Sequence, residues 1–176
     1  MTRTQNSRQA GLAGIYLGLF ATVWFSVPSA GGTLRALLIV ASVAALLTVC
    51  WGIAVFVRAG RPTTATRDRG ADRRYLLIVL AEVVAAGLGA LVLSLAGFTA
   101  YTPVLISAVV GLHFFPLAPV LRDPGLRVLG AVVCAVAVAA LITGRTTSAE
   151  PGLIAGAGTG LALLGYAVLS LSGRRG

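Results

Sequence analysis

The sequence predicts an all-α protein, a six-transmembrane-helix bundle, and three observations carry that prediction. The chain is 57% apolar and 11% charged, with a mean hydropathy of +0.94. Soluble domains hold roughly 25% charged residues, and one this apolar would expose patches that monomers avoid. The apolar residues fall in six runs of about the length needed to cross ~30 Å of hydrocarbon at ~1.5 Å per residue. The arginines lie between those runs and favour alternate gaps.

The runs can be taken in order. The first span, 11–28, follows a basic start and closes on Pro28-Ser29-Ala30-Gly31-Gly32. The second, 34–57, ends where Arg58 opens the one long polar stretch, the 58–74 loop. The third, 75–97, starts on Tyr75 and ends on Gly97; Tyr75 and Tyr101 suit an aromatic interface belt. Spans 102–121, 126–143 and 152–172 complete the set, leaving a single integral membrane domain over 1–176. Membrane strands are disfavoured, because the runs lack the polar/apolar alternation of a barrel.

Two features of these runs admit alternatives. The basic start, apolar stretch and Pro28-Ser29-Ala30 also fit a cleaved signal peptide in outline. Against that, the run is long and carries bulky Trp24 and Phe25, and Pro28 suits a small-x-small cleavage site poorly. Gly89 to Gly97 (GALVLSLAG) matches Gly165 to Gly173 (GYAVLSLSG) at six of nine positions. Either two inverted three-helix halves produce that likeness, as in several transporter folds, or a small apolar vocabulary produces it by chance.

Charge orients the bundle. All fourteen basic residues are arginine, giving a formal charge of +9. Their placement between apolar blocks reads as topology marking and not as a phosphate-binding stripe, so nucleic acid is excluded as a partner. Arg3, Arg8, Arg58, Arg61, Arg67, Arg69, Arg73, Arg74, Arg122, Arg127, Arg174 and Arg175 fall on one side; only Arg35 and Arg145 fall on the other. By the positive-inside rule both termini and the 58–74 loop are cytoplasmic, in a cell (inner) membrane. Arg58, Arg61, Arg67, Arg69, Arg73 and Arg74 could also meet anionic lipid headgroups, although topology marking already accounts for them. The arginine-only, Ala/Gly/Val/Leu-rich composition suggests GC-rich coding and a bacterium. Cys50 and Cys134 sit inside apolar runs and read as small buried hydrophobes.

One hairpin departs from this uniform background. Glu82 in the third span lies ~10 Å from its cytoplasmic end, and His113 in the fourth lies ~12 Å from the same end. The midpoint of 82 and 113 is 97.5, at the short turn Gly97 to Tyr101. The two residues should therefore be level on antiparallel neighbours, with helix rotation left open. Pro116 and Pro119 follow, and neither can donate a backbone hydrogen bond, so the carbonyls of Leu112 and Phe115 lose their ordinary partners. Freed carbonyls at membrane depth persist only against protein, water or a ligand. A kinked helix carrying an imidazole and facing a carboxylate could handle a proton, a cation or a polar headgroup. A carboxylate in hydrocarbon is expensive unless paired or hydrated, so a Glu82–His113 bond that only locks the hairpin explains the same residues. No nucleophile–base set, HExxH or Gly-rich phosphate loop accompanies them. Catalysis, a cofactor and a metal are accordingly not expected.

The segment Val110-Gly-Leu-His-Phe-Phe-Pro-Leu-Ala118 resembles a motif of uncharacterised small multi-pass bacterial membrane proteins with a similar helix count. That resemblance covers one helix; it implies His113 and Pro116 as shared features and no activity. The residues themselves point first to a small transporter- or channel-like bundle handling a proton, cation or small polar solute. A non-catalytic membrane subunit that docks another protein is the alternative. A lipid-modifying enzyme is the weakest reading, for want of polar groups.

Overall fold

The computed structural model describes residues 3–60 and 69–173, with side-chain environments omitted at 3–6, 69 and 71. Six α-helices account for nearly all of it: α1 (Arg3–Ser26), α2 (Gly32–Arg58), α3 (Arg69–Leu95), α4 (Thr102–Leu121), α5 (Gly125–Thr146) and α6 (Pro151–Leu171). A single 3-10 turn at Thr99–Tyr101 leads into α4. No strand occurs among the described residues. All six helices are long and apolar enough to cross a membrane, and the chain is a multi-pass membrane protein in that sense.

Helix ends follow local chemistry more than hydropathy. α1 stops at Ser26, two residues before Pro28, which disfavours helical geometry in the residue preceding it. α3 starts at Arg69, six residues before the expected apolar boundary, because a helix can extend beyond hydrocarbon with arginines in its first turns. Its other end falls at Leu95. Gly97 there takes φ +79°, and Phe98 N donates to Leu93 O at 2.8 Å, a Schellman-type stop. Gly173 beyond α6 also adopts positive φ, +65°. The two copies of the VLSL segment thus share a helix-terminating glycine, which gives the internal likeness a local physical basis.

The chain forms two compact units, 1–66 with 160–176, and 67–159. These boundaries do not fall between α3 and α4, where two three-helix halves would divide, and α6 contributes to both.

In the first unit, α1 and α2 form an antiparallel hairpin that crosses on two glycines. A Cβ on Gly11 would stand 2.9 Å from the Gly52 carbonyl, and one on Gly52 would stand 2.9 Å from the Gly11 carbonyl. Only the absence of both side chains allows the backbones this approach. Arg8 closes the hairpin's open end. Its guanidinium donates to Gly60 O at 3.1 Å and lies 4.5 Å from the centroid of the Phe56 ring. A cation so placed also suits the negative C-terminal end of α2. From α6, Gly160 meets the Phe25 ring and Leu171 meets Gly14, while Gly18 packs on Ala45 and Val49. Gly14 and Gly18, four residues apart on α1, and Gly160 on α6 therefore serve packing within the chain.

In the second unit, α4 packs between α3 and α5. The buried stripe of α4 is Val104, Ser107, Gly111, Phe114 and Ala118, with Leu117 beside it. That of α5 is Leu126, Gly130, Val133, Ala137 and Ala140, with Leu129 beside it. Both stripes alternate steps of three and four, the spacing that keeps one helix face on a neighbour. Many of the buried residues are small, while many large aliphatics lie outside. That distribution suits a chain whose exterior is lipid.

Candidate functional site

The α3–α4 hairpin sets the geometry of the candidate site. α3 ends in the glycine stop, and the 3-10 turn reverses the chain over a few residues, so similar lengths of helix, Glu82 to Leu95 and Thr102 to His113, lead to the two side chains. The two meet: His113 Nδ1 lies 3.4 Å from Glu82 Oε1, with the imidazole 14% and the carboxylate 20% exposed. Rotation, which spacing leaves open, is fixed by packing. Gly111 and Phe114 of α4 face the interior, and His113 between them is turned toward α3.

His113 Nδ1 has a nearer partner, the Val110 carbonyl at 2.8 Å. A carbonyl oxygen can only accept, so Nδ1 carries the hydrogen and donates it. In a neutral imidazole the lone pair is then on Nε2. Glu82 thus sits beside an N–H already committed to the backbone, at a distance long for a second strong hydrogen bond. The contact is electrostatic in character, and Nε2 is the position that can take a proton. The Phe114 ring lies against the imidazole, centroids 4.5 Å apart and tilted by 32°.

The prolines are only partly assembled with this pair. α4 is continuous from Thr102 to Leu121 with Pro116 and Pro119 inside it. By helical geometry Pro116 stands about 60° round the axis from His113 and Pro119 about 120° round, and both are exposed. Pro116 therefore neighbours the pair, whereas Pro119 belongs to another face. Past Pro119 the helix ends on Arg122, a non-glycine residue at φ 54°. Asp123 N donates to Ala118 O at 2.9 Å there, and Asp123 Oδ1 accepts from Gly125 N at 3.1 Å to start α5.

Of the headgroup candidates, Arg58, Arg73 and Arg74 are exposed. Arg61 and Arg67 lie outside the described residues, and so does the side chain of Arg69. Two concavities open elsewhere. One of about 380 Å³ lies in the first unit beside Arg35, Ser26 and Ser42. The other, of about 580 Å³, lies in the second unit between Tyr101, Cys134 and Arg145. Neither is lined by Glu82 or His113.

One fully buried polar contact between helices was not expected from the sequence. Ser107 Oγ and Thr159 Oγ1 are 2.7 Å apart, both fully buried, and join α4 to α6. Their only sequence signal is a hydroxyl near the middle of an apolar run. Comparison with protein-family models, curated proteins and solved structures finds no match to this chain.

Proposed function

We propose that this chain is a small proton-handling membrane protein, with Glu82 and His113 as the group that takes up and releases the proton. The observation that carries the reading is the 3.4 Å approach of the two side chains across the α3–α4 hairpin, with both partly exposed. Intramembrane ionisable residues are costly and mark proton relays and ion paths. Such a pair has zero net charge in two ways, as imidazole with carboxylic acid or as imidazolium with carboxylate. Adding or removing one proton switches it to a charged state that can drive a change in hydration or packing. Because Nδ1 is held by Val110, the mobile proton of the ring is the one on Nε2. The arginine distribution supports an orientation with both termini and the 58–74 loop in the cytoplasm, which puts the pair on the cytoplasmic side of the bilayer midplane.

A second reading, a subunit that docks another membrane protein, has one observation in its favour. No residue from Asp72 to Leu95 of α3 is buried. Proteoliposomes holding an internal pH dye separate the two. Proton uptake under an imposed potential should fall to the level of empty liposomes in Glu82→Gln and in His113→Ala, with folding retained. Uptake equal to wild type in both variants would leave the pair as a structural lock and favour the docking subunit.

A further inference from the structure

We propose that the groove on the second unit is a binding site for an anionic phospholipid. Arg145 would hold the phosphate and the groove would hold one acyl chain. The site is independent of the Glu82–His113 pair and of the arginines in the 58–74 loop.

The groove's length matches its occupant. It is about 580 Å³, and its lining extends along α4 and α5 from Tyr101 and Arg145 at one end, taken as the mouth, to Leu112 and Cys134 at the other. From Tyr101, the residue before α4, to Leu112 is eleven residues, and from Arg145 to Cys134 is eleven of α5. At ~1.5 Å per residue both give a depth of ~16 Å. One leaflet of a ~30 Å hydrocarbon core is ~15 Å deep. The concavity therefore reaches from an interface to the bilayer midplane and stops there, as an acyl chain does.

Its lining is ordered by depth in the same way. The walls are aliphatic, with Val138 and Leu141 exposed along them. Phe98, from the turn after α3, stands with Tyr101 at the mouth, where aromatic rings suit the headgroup boundary. The Tyr101 hydroxyl donates to the Gly144 carbonyl at 3.0 Å, fixing the mouth beside the last turn of α5. Arg145 is exposed, and no carboxylate among the described residues pairs with it. It is also the exception to the arginine sorting, one of two on the sparsely charged side. A cation retained against that bias, at the mouth of an apolar slot one leaflet deep, is complementary to a lipid phosphate.

The test uses the full chain in detergent, with lipid binding followed by native mass spectrometry. Phosphatidylglycerol and phosphatidylcholine of identical acyl chains are compared, and thermal unfolding is recorded in parallel. Wild type should bind phosphatidylglycerol more tightly than phosphatidylcholine. Arg145→Gln should weaken phosphatidylglycerol by about five- to tenfold, and Arg145→Lys should recover most of the loss. Val138→Trp, which fills the groove from an exposed position, should weaken both lipids. Glycerol phosphate without acyl chains should neither bind measurably nor stabilise, because the slot supplies part of the affinity. The proposal is overturned if Arg145→Gln keeps the full preference, which would assign the headgroup to the opposite face. It is equally overturned if Val138→Trp binds as wild type does, or if the two lipids bind wild type alike.

Discussion

Glu82 and His113 approach to 3.4 Å through a ring nitrogen that already donates to Val110 at 2.8 Å. The backbone, and not the carboxylate, therefore sets the tautomer. This chain has one histidine, so ¹⁵N-histidine labelling reports on His113 alone. In the neutral state, solid-state spectra in bilayers should show a protonated Nδ1 and an unprotonated Nε2. Glu82→Gln should leave that tautomer unchanged, because Val110 still accepts. A shift to the Nε2–H tautomer in the variant would mean that Glu82 orients the ring.

The glycine crossings should dominate stability. A Cβ on Gly111 would stand 3.1 Å from the Gly130 carbonyl and 2.9 Å from Cys134 N, and one on Gly130 would stand 2.7 Å from the Gly111 carbonyl. These are backbone atoms, so relief requires the helices to separate. Gly111→Ala and Gly130→Ala should each cost about 1–3 kcal/mol in reversible unfolding from mixed micelles. Gly11→Ala and Gly52→Ala should behave similarly on α1 and α2. Gly87→Ala and Gly165→Ala, where a Cβ meets nothing within 4 Å, should be neutral or stabilising by up to ~1 kcal/mol.

The same contrast shows which parts of the structure were legible in the sequence. Helix number follows from run length, and the level of Glu82 with His113 follows from a short turn midway between them. Both are one-dimensional properties. Rotation is not, because in lipid the outward face is as apolar as the inward one and no periodicity marks the buried stripe. The pairs Gly14/Gly18 and Gly156/Gly160 stand out by spacing. Yet the reciprocal backbone contacts involve Gly11 with Gly52 and Gly111 with Gly130, each distant in sequence and visible only after packing. The helical start of α3 at Arg69 was hidden for a related reason: hydropathy locates the hydrocarbon and not the end of the hydrogen-bond ladder.

Ser107 and Thr159 supply a buried interhelical hydrogen bond between α4 and α6. Such bonds average about 0.6 kcal/mol in membrane double-mutant cycles, with a maximum near 1.7. Ser107→Ala and Thr159→Val should be subadditive, with a coupling of about 0.5–1.5 kcal/mol measured by unfolding of the two single variants and the double variant. Additivity would show that each hydroxyl finds an equivalent partner on its own helix.

Arg122 ends α4 in the left-handed region, at φ 54° and ψ 37°, where a side chain costs about 1–2 kcal/mol relative to glycine. Its amide donates to Pro119 O at 3.3 Å, and the Asp123 amide closes the motif on Ala118 O, so the conformation is imposed by the helix stop and not by the side chain. Arg122→Gly should therefore raise stability by about 1 kcal/mol. Arg122→Lys, which keeps both the Cβ and the charge, should leave it unchanged. Arg122→Val should lower it, since a β-branched residue fits that region worst. The ordering Gly above Arg and Lys, with Val lowest, separates backbone strain from charge: if Gly and Val fell together below Arg, the arginine charge and not the φ angle would be what that turn requires.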